Sequence, residues 1–178
     1  MSRKKIKKIM IHPIKPVYNK DSEILILGSF PSVKSREDMF FYAHPQNRFW
    51  KVLAALKNTD VPSTVEEKTN FLLKYKIALW DVIKSCEVTG SSDSSIKNVK
   101  PNNIKIILDT ANIKKIFING KTADKYYKKY LSADINISAL CLPSTSPANA
   151  RSSLDDLIEK WAVINEDYSF QGRYSNEG

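Results

Sequence analysis

The segment EILIL at Glu23–Leu27, closed by Gly28, decides the fold class of this 178-residue chain. The run is too short for a helix and ends at a glycine, so it predicts a strand buried on both faces. KIFIN at Lys115–Asn119 repeats the pattern, and Ile135–Leu142 predicts a third strand, which ends at Pro143. Strands of this kind are typical of parallel sheets whose two faces are covered by helices.

Between these strands the apolar residues recur at helical spacing. The predicted helices are Asn47–Leu56, Thr64–Tyr75, Ile104–Ala111, Thr122–Leu131 and a long amphipathic helix that Ser152 or Ser153 caps and that runs through Ile164. Thr64 and Glu67 have the spacing of a capping box, and Asn102 or Asn103 can cap the third helix. Lys76–Ile83 is apolar and predicted to be strand-like.

Two polar stretches, residues 29–46 and 90–103, are predicted to be loops. The alternation of buried strands with helices predicts a three-layer α/β/α sandwich around a mainly parallel central sheet. We expect one domain over residues 1–178, to which the basic segment 1–20 and the polar tail 169–178 can be flexible attachments.

The chain is basic, with a formal net charge of +9 and a pI of about 9.4. Such a surplus favours acidic partners, among which nucleic acid is the commonest, although a lysine-rich solvated surface would give the same charge. No window approaches the roughly 20 apolar residues of a spanning helix, and the basic N-terminus MSRKKIKKIM lacks the apolar run of a signal peptide. We therefore expect a cytoplasmic protein without a membrane partner.

The sequence offers few ligands for a metal. Its only cysteines and histidines, Cys86, Cys141, His12 and His44, do not have the spacing of a zinc site, and the cysteines are predicted to be reduced thiols. The sequence also lacks a phosphate-binding loop, the dinucleotide GxGxxG pattern and a Ser-His-Asp order. We expect neither a metal nor a cofactor.

Polar segments follow each predicted buried strand. In parallel sheets the ligand lies beyond the carboxyl ends of the strands, so Gly28–Pro31, Asn119–Gly120 and Pro143–Ser146 should converge on one crevice. Amide side chains such as Asn47, together with nearby aromatic rings, suit a flat heterocycle that is held by stacking and recognised along its edges.

Four motifs occur in a fixed order along the chain. They are GSFPS at 28–32 with YAHPQNRFW at 42–50, GSSDS at 90–94, FING at 117–120 and LPSTSPANA at 142–150. Together they resemble the uracil-DNA glycosylase superfamily, and within it the hypoxanthine-DNA glycosylase branch. The mismatch-specific branch has an Asn-Pro pair with a water-positioning Asn, and Phe30 stands in its place here. The resemblance extends from about Leu25 to Asn149 and implies a base-flipping enzyme.

The resemblance also implies roles for the residues of the crevice. Asn47 is implied to be catalytic, by positioning or polarising a water, while Asn119 reads the base edge and Tyr42 stacks on the flipped base. The remaining base-binding residues implied are Gly28, Ser29 and Phe30, and the implied DNA contacts are Pro31, Ser32, His44, Ser144, Thr145, Ser146 and Pro147.

Plainer interpretations exist for several of these residues. Asn47 can cap the helix that follows it, and Asn119–Gly120 can be an ordinary strand-to-helix turn. His44 can be a hydrogen-bonding loop residue. Asp81 is a further candidate for a general base, or it caps the next turn.

The expected function is monofunctional hydrolysis of the N-glycosidic bond of deoxyinosine in DNA, with release of hypoxanthine during base excision repair. One alternative keeps the fold and changes the base to uracil or another deaminated base. Another is a non-catalytic module that binds lesions or single-stranded DNA. The expected partner is DNA containing deaminated bases, on which the protein acts as a monomer.

Overall fold

The computed structural model describes residues 7–89 and 96–166. The strands in these ranges are β1 (Lys7–Ile11), β2 (Ile24–Gly28), β3 (Ile77–Asp81), β4 (Ile83–Thr89), β5 (Lys97–Pro101), β6 (Lys115–Asn119) and β7 (Ala139–Leu142). The helices are α1 (Val33–Asp38), α2 (Phe49–Leu56), α3 (Val65–Lys74), α4 (Lys105–Thr110), α5 (Lys121–Tyr130) and α6 (Leu154–Trp161).

A four-stranded parallel sheet in the order β3-β2-β6-β7 lies at the centre of the protein. Strand β2 is central because its apolar residues are buried on both faces, as the EILIL segment predicts. Helix α3 packs against β3, α5 packs against β6 and β7, and α2 packs against α6. The predicted α/β class with a mainly parallel sheet is confirmed.

Helix boundaries follow the predicted caps closely. Thr64 and Ser153 each form a capping box. The side-chain oxygen of the cap residue accepts from the backbone N–H three residues later, and the carboxylate of that later residue accepts from the backbone N–H of the cap residue. At α4 the result is mixed, since Asn103 Oδ1 accepts from the Lys105 N–H at 3.3 Å. Asn102 instead is buried, and its Nδ2 donates to the backbone carbonyls of Asp81 and Ile83.

Helix α1 lies inside residues 29–46, where the sequence predicts a loop, and that prediction is wrong there. The short helix forms because Ser32 Oγ accepts from the Ser35 N–H at 3.2 Å. It ends at Met39, which adopts a left-handed backbone conformation with φ 54°. The Ser35 hydroxyl then accepts from the Ala43 N–H at 3.1 Å, which ties α1 to the segment before α2.

A second, antiparallel sheet in the order β1-β4-β5 is absent from the sequence prediction. Strand β5 lies within residues 90–103, so the predicted loop is wrong there, while the GSSDS motif at 90–94 lies outside the described residues. Strand β1 falls within the basic segment 1–20 and pairs along its whole length with β4. Its lysines and largely exposed apolar residues gave no buried pattern to detect.

The buried apolar side chains form one cluster that extends along the chain from Ile14 to Ile164. In the described part of the chain, no helix is long and apolar enough to cross a membrane.

Candidate active site

A cavity of about 440 Å³ opens at the carboxyl ends of the parallel strands. Every site residue predicted from the sequence lines it: Gly28, Ser29, Phe30, Pro31, Ser32, Tyr42, His44, Asn47, Asn119, Ser144, Thr145, Ser146 and Pro147. Asp81, at the end of β3, lines it as well. The segments that follow β2, β6 and β7 therefore meet in one crevice.

Two asparagines are joined across the cavity by one threonine, and we call Asn47, Thr145 and Asn119 the amide cluster. Asn119 Nδ2 donates to Thr145 Oγ1 at 3.0 Å, and Thr145 Oγ1 donates to Asn47 Oδ1 at 2.9 Å. The Thr145 N–H in turn donates to Asn119 Oδ1 at 3.1 Å. Thr145 is fully buried, so these bonds hold both amides in fixed orientations.

The amide cluster leaves donors rather than acceptors for a ligand. Asn47 Oδ1 accepts a second bond, from the Phe49 N–H at 2.9 Å, which satisfies the first backbone N–H of α2, although Arg48 holds the N-cap position itself. With both lone pairs of Oδ1 engaged, the Nδ2 of Asn47 is the free end of the amide. Within residues 7–89 and 96–166, that nitrogen has no hydrogen-bond partner.

A buried histidine and carboxylate lie at another part of the cavity wall, and we call His12 and Asp81 the histidine–aspartate pair. His12 Nε2 and Asp81 Oδ2 are 2.6 Å apart, and their side chains are 2% and 5% exposed. His12 Nδ1 accepts from the Ile14 N–H at 3.1 Å, so the ring proton is on Nε2 and is donated to Asp81. Oδ1 of Asp81 accepts no hydrogen bond from the described residues.

Gly28 allows this carboxylate to approach the end of β2. A Cβ at Gly28 would lie 2.4 Å from Asp81 Oδ1 and 2.7 Å from the Tyr42 hydroxyl, distances that real side chains do not reach. Gly28 and Asp81 are also register partners in the sheet. The glycine is therefore required for the packing of two polar groups against the β2 backbone.

Tyr42 contributes both a ring face and a hydroxyl. One face stacks on Phe49 with the ring centroids 4.0 Å apart. The hydroxyl is buried and has no hydrogen-bond partner among the described residues. Burial first, and the negative charge of Asp81 second, raise the pKa of the phenol, while the nearby Asn119 amide opposes that shift. The hydroxyl is therefore a neutral, unused donor.

Arg48 fastens the segment after β7 to the start of α2, a role the sequence did not predict. Its guanidinium donates to the carbonyls of Ser146 and Asn149, at 2.9 Å each, and to that of Ser152. The Arg48 backbone N–H donates to the Thr145 carbonyl at 3.0 Å. Arg48 thus orders the loop that carries Thr145, and its place inside the HPQNRFW motif was the signal that could have shown it.

The other predicted residues have local bonding roles. His44 Nδ1 accepts from the Gln46 N–H at 3.1 Å, which agrees with the loop-bonding interpretation. Ser144 Oγ and Ser146 Oγ accept from backbone N–H groups two residues ahead. Phe30 lies edge-on to the His12 ring, at 5.7 Å, with the Arg36 guanidinium 5.8 Å from its centroid.

In the described ranges, no group of three or more His, Cys, Asp or Glu side chains could hold a metal ion. The cavity instead offers amide donors, a phenol, one carboxylate oxygen and aromatic faces. This set can bind a flat polar heterocycle along its edge and stabilise negative charge that develops on it.

Comparison with known proteins gives matches over most of the chain. A family model described as the uracil DNA glycosylase superfamily matches residues 15–166. Two similar proteins bear the name hypoxanthine DNA glycosylase. That of Methanosarcina barkeri (strain Fusaro) is 37% identical over 149 residues, covering 83% of this chain and 92% of that protein. That of Methanosarcina acetivorans is 33% identical over 150 residues, covering 83% and 94%.

A solved structure is also similar. It is a solution NMR structure of a Methanosarcina acetivorans protein provisionally named a uracil DNA glycosylase. The two chains share 29% identity and superpose with a TM-score of 0.73, covering 88% of this chain and all of the other.

Proposed function

The chain belongs to the uracil DNA glycosylase superfamily, and we propose that it is a monofunctional glycosylase that hydrolyses the N-glycosidic bond of deoxyinosine in DNA. The products would be free hypoxanthine and an abasic site, the first step of base excision repair. Two similar proteins named hypoxanthine DNA glycosylase support this choice of base.

The amide cluster is the observation that carries the proposal. Asn47 and Asn119 are held in one cavity through Thr145, and both side chains have amide hydrogens without a partner among the described residues. Cleavage of the bond between N9 and C1′ leaves the electron pair on the base and positive charge on the sugar. Donors aimed at the base favour that charge distribution, and one such donor contributes about 3 kcal/mol in comparable sites.

Asn47 is proposed to hold the attacking water. Because its Oδ1 is saturated, the amide nitrogen would donate to one lone pair of the water and leave the other to bond to C1′. The proton that the water loses passes to solvent, and the departing base takes up a proton from solvent to give neutral hypoxanthine. The unused hydrogen of Asn119 is proposed to donate to an acceptor on the base edge.

The flipped base is proposed to stack on the ring face of Tyr42 that Phe49 does not cover. Such stacking stabilises an extruded base by about 1–3 kcal/mol, which offsets the cost of flipping. Gly28, Ser29 and Phe30 would form the rest of the base pocket. Proposed DNA contacts are Pro31, Ser32, His44, Ser144, Thr145, Ser146 and Pro147, of which Thr145 would act mainly by ordering its loop.

We also propose that the protein acts as a monomer in the cytoplasm, over the whole of residues 1–178 as one domain. The reduced cysteines inferred from the sequence support that location, and the net charge of +9 supports binding to the DNA backbone. Neither a metal nor a cofactor is part of the proposed reaction.

Replacement of Asn47 by alanine tests the proposal. We expect Asn47→Ala to lower single-turnover excision of deoxyinosine by at least about 100-fold, as loss of one transition-state donor does elsewhere. Loss of the Asn47 bonds to the Phe49 N–H and to Thr145 Oγ1 should cost about 1–3 kcal/mol of stability. Thr64→Ala is the matched control, because it removes the cap of α3 away from the cavity.

The two variants separate catalysis from capping. We expect both variants to fold cooperatively, with excision lost only in Asn47→Ala. Equal excision by Asn47→Ala and the wild-type protein would refute the catalytic assignment.

A further inference from the structure

The histidine–aspartate pair presents one acceptor to the cavity. His12 donates to Oδ2 of Asp81 at 2.6 Å, and Oδ1 accepts nothing from the described residues, although Asp81 lines the cavity wall. A carboxylate is an acceptor only, and the Nδ1 bond of His12 fixes the imidazole as the donor. Oδ1 can therefore accept a hydrogen bond from a donor that occupies the cavity.

Deamination creates such a donor in the base. Adenine presents an acceptor at N1, whereas hypoxanthine presents N1–H beside the O6 carbonyl. The same change converts the N3 acceptor of cytosine into the N3–H of uracil. A fixed carboxylate oxygen at the base edge would accept from the deaminated base and repel the lone pair of the original one.

We infer that Asp81 is a specificity-determining residue whose Oδ1 accepts a hydrogen bond from the N1–H of flipped hypoxanthine. The inference rests on the proposed glycosylase function. His12 is a positioning residue: its donated proton occupies Oδ2, which leaves Oδ1 as the acceptor for the base. The ligand class is a base with a ring N–H next to a carbonyl.

The surroundings of Oδ1 support this role. Oδ1 and the Tyr42 hydroxyl both pack against Gly28, where even a methyl group has no room. The buried hydroxyl also has no hydrogen-bond partner in the part of the chain that the structure describes. A base laid on the Tyr42 ring with its edge above the hydroxyl would bring that edge to the carboxylate. Asn119, at the end of the strand on the other side of β2, could then donate to the carbonyl.

The competing role for Asp81 is that of a general base that removes a proton from the attacking water. A general base would be needed for every base that the enzyme releases. A base-reading carboxylate matters only where the base has the N–H. Substrates that differ at N1 therefore separate the two roles.

The experiment compares wild-type protein and Asp81→Asn on DNA containing one deoxyinosine or one deoxynebularine, whose unsubstituted purine has an acceptor at N1. The asparagine oxygen must accept from His12, so its NH₂ group turns to the cavity and faces N1 as a donor. We expect excision of deoxyinosine to fall by at least about 100-fold. Excision of deoxynebularine should be unchanged or faster.

Asp124→Asn is the matched control, since it makes the same change of charge in α5, where Asp124 pairs with Lys128. It should leave both rates unchanged. His12→Phe should reduce the preference for deoxyinosine over deoxynebularine, and His12→Gln, which keeps a donor for Oδ2, should restore it.

The outcomes distinguish failure of the proposed glycosylase function from failure of the proposed role of Asp81. If wild-type protein does not excise deoxyinosine, the proposed function itself fails. If it does, but Asp81→Asn slows both substrates equally or neither, only the role of Asp81 is overturned. Should Asp81→Asn fail to fold, N1-methyldeoxyinosine replaces it, and equal excision of methylated and unmethylated deoxyinosine by wild-type protein would overturn the role.

Discussion

The cavity is built from two polar units with opposite chemistry. In the amide cluster every side-chain acceptor of Asn47 and Asn119 accepts at least one hydrogen bond, while amide hydrogens have no partner within the described ranges. In the histidine–aspartate pair the histidine donates to Oδ2, and Oδ1 accepts no bond from the same residues. The first unit suits charge that develops on a leaving base, and the second suits recognition of a base N–H. We therefore expect that mutations can change catalysis and base choice separately.

Removal of the central hydroxyl of the amide cluster should have the larger effect. Thr145→Val leaves Asn119 Nδ2 and Asn47 Oδ1 each without one partner in a buried site, which costs about 1–3 kcal/mol of stability. We expect single-turnover excision of deoxyinosine to fall by about 10–100-fold, since two amides lose their fixed orientation. The preference for deoxyinosine over deoxynebularine should persist, because Asp81 is untouched.

Thr69→Val is the control for this change. Its hydroxyl donates to the Val65 carbonyl at an exposed position of α3, so the variant should match wild-type excision. A Thr145→Val protein with wild-type excision would show that Thr145 does not organise the two asparagines for catalysis.

The Tyr42 hydroxyl lies beside the second unit, and its removal should have the smaller effect. Tyr42→Phe keeps the stack on Phe49 and removes a buried hydroxyl that has no partner in the described structure. The melting temperature should therefore stay the same or rise. Excision of deoxyinosine should fall by about 2–10-fold, the usual value of one neutral hydrogen bond.

Tyr127→Phe, in the buried face of α5, is the comparison variant outside the cavity. A large loss of stability in Tyr42→Phe would contradict the inference that the Tyr42 hydroxyl makes no stabilising hydrogen bond in the protein. A loss of excision in Tyr127→Phe as large as that in Tyr42→Phe would mean that the effect is not local to the cavity.

The sequence predicted the parallel sheet because β2, β3 and β6 are buried along almost their whole length. The edge strand β7 is only partly buried, and Pro143, which follows it, marked its end. The sequence missed β1 and β5 because their lysine-rich strands lie in an antiparallel sheet whose exposed residues hide the pattern. It also missed α1, which a serine cap starts within a segment that otherwise has the composition of a loop. Local caps and long-range pairing, rather than periodicity, determine these elements.

Prediction of the candidate site likewise succeeded for residues within local motifs and failed for a long-range contact. Motifs on strand-end segments identified every residue of the amide cluster, even though Asn47 and Thr145 are 98 positions apart. They did not identify His12, which reaches Asp81 across 69 positions from outside every motif. Without its histidine partner, Asp81 could be taken for a general base or a turn cap. The direction of its hydrogen bonds becomes visible only in three dimensions.

The most direct measurement uses end-labelled DNA duplexes that carry one deoxyinosine or one deoxyuridine. The wild-type protein is added, and abasic sites are then cleaved with alkali. We expect strand cleavage at deoxyinosine. Cleavage at deoxyuridine alone would agree with membership of the superfamily but contradict deoxyinosine as the substrate. Tight binding without cleavage at either base would contradict the glycosylase activity and favour a non-catalytic module that binds lesions.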